Sequence, residues 1–76
     1  MRIVVFGTGG AAGYFGARLA EAGEEVVFIA RGEHLKAMQT SGLRVDSLKG
    51  DMHIQPARAV ADPQEAGVAD VVLLGV

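Results

Sequence analysis

Apolar positions along the chain follow two different rhythms. Arg2-Ile3-Val4-Val5-Phe6 is an unbroken β-branched and aromatic run. A strand with one wet face would alternate with polar residues; a continuous run fits a strand buried on both faces of a parallel sheet. Glu25-Val26-Val27-Phe28-Ile29-Ala30 repeats the pattern, and Asp70-Val71-Val72-Leu73-Leu74-Gly75-Val76 repeats it again as a last buried strand. Between the first two runs, residues 10–22 change to helical spacing. Ala12, Phe15 and Leu19 share one face, Tyr14, Arg18 and Glu21 share another, and Gly23 supplies the stop. Phe15 is expected in the core and Tyr14 at its rim. The first 30 residues therefore predict one βαβ unit with a right-handed crossover and parallel strands.

The middle of the chain breaks this alternation. Residues 33–41 carry Leu35 and Met38 at an i, i+3 spacing with Ala37 beside them, and Gly42 stands where a left-handed helix cap is expected. A short second helix follows from that spacing. Leu43, Val45, Met52 and Ile54 alternate with polar residues on either side of Lys49-Gly50, which predicts a hairpin with a two-residue turn and one exposed face. Asp62-Pro63-Gln64-Glu65 reads as an N-cap, a first-turn proline and a capping-box glutamate, opening about one helical turn that Gly67 ends.

The glycines become informative once placed on these elements. Gly7-Thr8-Gly9-Gly10-Ala11-Ala12-Gly13 follows a predicted strand and opens a predicted helix, the context that gives a G-x-G-x-x-A pattern its meaning. Gly7 would allow the tight turn, Gly9 would let the backbone approach a pyrophosphate, and Ala12 would permit close packing of helix on strand. Backbone N–H groups over residues 9–12 would face the phosphate with the helix dipole behind them. A P-loop would need a Lys and a Ser or Thr after its last glycine, whereas Tyr14 and Phe15 follow Gly13. Cofactor choice belongs at the end of the second strand, where NAD binders place a carboxylate for the ribose 2′-hydroxyl. Here stands Ala30-Arg31. A guanidinium there suits a 2′-phosphate, so NADP (NADPH) is the expected cofactor, with Glu33 expected on the first turn of the second helix. The cofactor-binding set is thus Gly7, Thr8, Gly9, Gly10, Ala11, Ala12 and Arg31.

Composition narrows the alternatives. The 76 residues carry 7 Lys+Arg, 9 Asp+Glu and a net charge of -2, which argues against a duplex nucleic-acid binder or a polybasic membrane anchor. With Cys 0, there is no thiol nucleophile, disulfide or zinc thiolate site. Eleven Gly, 12 Ala and 10 Val against 3 Phe and 1 Tyr imply a closely packed core of small side chains. The apolar start lacks charge between Arg2 and Arg18, but Gly7, Gly9, Gly10 and Gly13 interrupt what would have to be a continuous signal helix. No run reaches the roughly 18 apolar residues of a membrane span. His34 and His53 are isolated and read as surface or helix-start histidines. Asp51 and His53 would share one side of a strand, yet two ligands do not make a metal site. Neither a nucleophile with its base nor a close acid and base pair of carboxylates is visible, so no catalytic residue is assigned.

Taken together, Gly7-Thr8-Gly9-Gly10-Ala11-Ala12-Gly13-Tyr14-Phe15-Gly16-Ala17-Arg18-Leu19-Ala20, Phe28-Ile29-Ala30-Arg31-Gly32-Glu33-His34-Leu35, Gly42-Leu43-Arg44-Val45 and the run from Asp70 to the end resemble the amino-terminal part of the ketopantoate reductase (2-dehydropantoate 2-reductase) family. The resemblance runs the whole length of the chain. It implies an α/β fold, a Rossmann-type parallel sheet seen in part: βαβ, a β-hairpin and one further strand. It also implies NADPH-dependent reduction of ketopantoate, a small-molecule 2-keto acid, to pantoate in pantothenate and coenzyme A biosynthesis, in the cytoplasm. Residues 7–12 would be the phosphate loop and Arg31 the reader of the 2′-phosphate. Ala12 stands where the family commonly has glycine, and Gly10 and Gly75 where somewhat larger small residues are common; neither change should block a dinucleotide. Family members are about four times as long, so residues 1–76 would be the amino-terminal portion of an NADP-binding domain. The family's catalytic lysine and substrate-binding glutamate would lie in a later helical domain, and the 76 residues alone would be inactive. Two other readings share these features: another 2-hydroxy-acid or polyol-phosphate dehydrogenase, and a non-catalytic dinucleotide-sensing module. No nucleic-acid or membrane partner is expected, while an apolar sheet edge at residues 71–76 would invite pairing with another chain in a homo-oligomer.

Overall fold

The computed structural model describes residues 1–7, 10–45 and 50–75, the side chains of residues 10 and 11 excepted. In chain order the elements are β1 (Arg2–Phe6), α1 (Gly10–Glu21), β2 (Glu25–Ile29), α2 (Gly32–Ser41), β3 (Leu43–Val45), β4 (Met52–Ile54), β5 (Ala59–Val60), a 3-10 turn (Pro63–Ala66) and β6 (Val71–Leu74). Four strands form a parallel sheet in the order β5-β2-β1-β6. β3 and β4 form a separate antiparallel pair. The fold is α/β and Rossmann-type, as expected.

Burial on both faces explains the continuous strand runs. Ile3 and Val5 of β1 join Val26 and Phe28 of β2 in the core under α1, the hairpin and Met38 of α2. Val4, Val27 and Ile29 point to the opposite face and pack with Ala66 of the 3-10 turn. The chain thus covers one face before β5 and the other after it. Between β1 and β6 the strand order reverses, which makes the crevice beyond their carboxyl ends the natural ligand position of such a sheet.

The sheet face of α1 is smaller than the pattern of its large residues implied. Ala12, Gly13, Gly16 and Ala17 are buried, whereas Phe15 is 57% exposed, with its ring edge-on to Tyr14 at 5.7 Å between centroids. The expectation of Phe15 in the core is therefore corrected. A Cβ on Gly16 would lie 2.9 Å from Val5 Cγ2 and 3.0 Å from Phe28 Cε1, so the helix sits too close for large side chains. Small residues hold that approach, and Phe15 is turned to solvent.

Three further details differ from the sequence reading. β5 was not anticipated; it pairs Ala59 with Phe28 and Val60 with Ile29. The hairpin pairs Val45 with Met52 and Leu43 with Ile54, while a two-residue turn at Lys49-Gly50 would have put Val45 opposite Ile54. Residues 46–49 of that turn lie outside the described residues. The register is held from the other end, where Gly42 runs so close to the Ile54 carbonyl that a Cβ would collide with it, and His53 Nε2–H donates to the Ser41 carbonyl at 2.8 Å. Last, β6 is not a buried strand. It lies at one edge of the sheet, with Val72 51% and Leu74 69% exposed, because no described layer covers its outer side.

The helix-end signals are visible in the structure. Asp62 caps the 3-10 turn by accepting from the Gln64 N–H at 2.9 Å, with Pro63 in its first turn and Gly67 at its end. Gly42 does end α2 and donates its N–H to the Met38 carbonyl at 2.9 Å, but with φ +83° and ψ -170° it leaves the helix extended and not in the left-handed helical conformation expected of it.

Candidate dinucleotide-binding site

Three small residues meet at the carboxyl ends of β1 and β6. Gly7 leaves β1 with φ +79°, a conformation that strains any residue with a Cβ. Its N–H donates to the Ile29 carbonyl at 3.3 Å, and a Cβ there would lie 2.6 Å from the Gly75 carbonyl oxygen. Gly75 extends the β6 ladder by donating to the Phe6 carbonyl at 2.7 Å. A Cβ on Gly75 would meet the Ala12 methyl at 2.8 Å. Gly7, Ala12 and Gly75 are therefore mutually fitted, and the backbone turn and helix start lie against the end of β6 with no side chain between them.

Gly10, Ala11 and Ala12 form the first turn of α1, whose leading N–H groups have no acceptor within the helix. No acidic residue stands in that turn to occupy them. Such a helix start suits an anion. Thr8 and Gly9, also expected in the phosphate loop, lie outside the described residues.

Beside this turn a cavity of about 300 Å³ opens beyond β1 and β2. Phe6, Gly7, Ile29, Ala30, Arg31 and His34 line it. Ala30 is fixed by donating its N–H to the Val60 carbonyl at 3.1 Å, so the unanticipated β5 holds the end of β2 in place. Arg31 is still extended, with φ -138° and ψ 159°, and serves as N-cap residue of α2. Gly32 then turns the chain with φ +57°. Among the described residues Arg31 makes no ion pair, and the described lining of the cavity includes no carboxylate. Glu33 does fall in the first turn of α2, as expected, and is not part of that lining.

His34 is an exposed histidine at the start of α2, as read, and it also lines the cavity beside Arg31. Gly16, which carried no assigned role, enforces the close helix packing that was expected of Ala12 alone. An i, i+3 repeat of small residues in α1 was its available signal. Asp51 and His53 line a second cavity of about 220 Å³ with Arg44 and Met52. No three His, Cys, Asp or Glu side chains converge as a metal site among the described residues.

This geometry agrees with the relationships of the chain. The family model for ketopantoate reductase PanE/ApbA matches residues 3–76. The chain belongs to the ketopantoate reductase family. Within that family, it is 43% identical over 75 residues to 2-dehydropantoate 2-reductase of Mesorhizobium japonicum, covering 97% of this chain and 23% of that protein. The uncharacterized oxidoreductase YkpB of Bacillus subtilis is 38% identical over 74 residues, with 97% and 24% covered. The crystal structure of 2-dehydropantoate 2-reductase from Geobacter metallireducens GS-15 superposes with a TM-score of 0.91 at 36% identity, covering 100% of this chain and 25% of that one. The chain thus spans about a quarter of the length of the ketopantoate reductases it matches.

Proposed function

We propose that residues 1–76 are the amino-terminal portion of the NADP-binding domain of an NADPH-dependent ketopantoate reductase. The intact enzyme would reduce 2-dehydropantoate to pantoate, a cytoplasmic step toward pantothenate and coenzyme A. Arg31 carries the cofactor assignment: it ends β2 on the wall of a cavity whose described lining has no carboxylate. A guanidinium offers a phosphomonoester two parallel charge-assisted hydrogen bonds, while a ribose diol is better served by a carboxylate acceptor.

The residues present fit a dinucleotide. Gly7 and the first turn of α1, with Thr8, Gly9, Gly10, Ala11 and Ala12, would bind the pyrophosphate, and Gly75 lets Gly7 and Ala12 lie against the end of β6. Bound NADPH supplies the hydride. This segment supplies phosphate affinity and orientation; no residue in it takes a catalytic role.

Initial rates of ketopantoate reduction by the intact protein, with NADPH and NADH compared, test the proposal. NADPH should be strongly preferred. Arg31→Ala should raise KM for NADPH by roughly tenfold to a hundredfold, the worth of a charge-assisted hydrogen bond or two, and leave KM for NADH nearly unchanged. Equal or better use of NADH by the parent protein would overturn the assignment of Arg31. YkpB, named only as an oxidoreductase, favours a second reading in which another 2-keto acid or a polyol phosphate is the substrate. Turnover of such a compound in preference to ketopantoate would select it, and tight dinucleotide binding with no turnover would select a sensing module.

A further inference from the structure

We propose that His34 is a second specificity-determining residue of this site. Its imidazole would act with the Arg31 guanidinium on the 2′-phosphate of the bound dinucleotide. The inference rests on the dinucleotide reading above and adds a residue to it.

Arg31 and His34 are the N-cap and third residues of α2, a spacing that places two side chains on one side of a helical turn. Gly32 makes this possible. With φ +57° it bends the chain directly from the end of β2 into α2, so the arginine that leaves the strand and the histidine one turn later line one cavity. The remaining described lining is apolar in its side chains, from Phe6, Ile29 and Ala30, with Gly7 at the turn. Arg31 and His34 are therefore the described lining residues whose side chains carry N–H groups.

A phosphomonoester has three terminal oxygens. A forked guanidinium engages two of them, and the third still requires a donor when it leaves bulk water. An imidazole whose N–H lies on the ring nitrogen facing that oxygen can supply this donor. A ribose 2′-hydroxyl presents no such oxygens, so an interaction of this kind favours the phosphorylated cofactor selectively. His34 differs in this respect from a residue that merely packs against the adenine, which would serve both cofactors alike.

Calorimetric titration of the intact protein with NADPH, NADH, adenosine 2′-monophosphate and adenosine 5′-monophosphate separates these roles. His34→Ala should weaken NADPH and adenosine 2′-monophosphate by about fivefold to tenfold, the scale of one net hydrogen bond. NADH and adenosine 5′-monophosphate should change by less than about twofold on the same scale. His34→Gln, which keeps an N–H donor, should recover part of the loss. Equal weakening of NADPH and NADH, or no change in either, would overturn the role of His34. If the parent protein itself fails to prefer NADPH, the reading of Arg31 falls and this inference with it. If the parent prefers NADPH and Arg31→Ala abolishes that preference while His34→Ala leaves it intact, only the present inference is lost.

Discussion

The two ends of the parallel sheet use the same kinds of residue to opposite effect. At the amino end, charges close on one another. The Arg2 guanidinium donates to Glu25 Oε2 from Nε at 3.0 Å and lies 2.9 Å from it through Nη2, and a third nitrogen donates to the Ala66 carbonyl at 3.0 Å. Arg58, at the start of β5, adds a contact to the same carboxylate oxygen at 3.3 Å. Asp70 accepts from the Arg2 backbone N–H at 2.7 Å and returns its own N–H to the Arg2 carbonyl at 2.8 Å. All four parallel strands are tied together there. At the carboxyl end the corresponding positions are Gly7, Gly75, Ala30 and Arg31, and among the described residues Arg31 has no ion-pair partner. An arginine neutralised at one end serves cohesion, and an arginine with no ion-pair partner among the described residues at the other is the one proposed above to serve a ligand.

That contrast can be broken most forcefully at Gly7. Gly7→Val combines a positive φ with a Cβ that would lie 2.6 Å from the Gly75 oxygen, and neither backbone can yield without moving the β1 to α1 turn. A cost of about 2–4 kcal/mol in stability follows from the left-handed conformation plus overpacking. Dinucleotide affinity should fall with it, for NADPH and NADH alike, because the proposed pyrophosphate turn would serve both. Titration of each cofactor together with urea melts of the intact variant measures the two effects. A variant of normal stability and affinity would show that the contact of Gly7 with Gly75 sets nothing.

Much of this arrangement is legible from residue order, and what is not has a common cause. Unbroken runs at residues 2–6 and 25–29 specify doubly buried strands because burial on both faces leaves no room for polar alternation. The glycine turn and Arg31 are legible because strand, turn and helix are adjacent in the chain. β5 is two residues long and is defined by pairing with β2, more than thirty positions away in register, so no local run announces it. The hairpin register differs by two positions, a shift that leaves every side chain on its own face and is invisible to hydrophobic alternation. Gly75 matters through Gly7 and Ala12, and His34 through the turn at Gly32. These are long-range contacts or backbone angles, which periodicity does not encode.

At the amino end the contrast predicts stability effects without a cofactor effect. Arg2→Ala removes the donor to the Ala66 carbonyl and the main partner of Glu25. Loss of the carbonyl hydrogen bond should cost about 1 kcal/mol, while the bonds from the Arg2 main-chain N–H to Asp70 Oδ2 and from the Asp70 N–H to the Arg2 carbonyl remain. Dinucleotide affinity and the preference for NADPH should be unchanged when measured well below the melting temperature. A selective loss of NADPH affinity in this variant would show that the two ends are coupled and the division drawn above is false.

The smallest effect is the most specific. Hydrogen bonding from Arg2, reinforced by the charges of Arg2 and Arg58, holds the Glu25 carboxyl below its ordinary value of 4.5. A depressed folded-state value means that ionised Glu25 stabilises the fold above about pH 4.5. That contribution is lost as pH falls through the lower folded-state value. Glu25 is solvent-exposed, so salt should screen much of it. Glu25→Gln should therefore be slightly less stable than the parent at neutral pH, and the gap should close on acidification, when the parent carries a neutral carboxyl as well. Denaturant midpoints of the two proteins across the acidic range test this directly. A gap that persists unchanged at the acid end would assign the effect to packing or altered hydrogen bonding, and would remove charge closure as the reason the amino end of the sheet holds together.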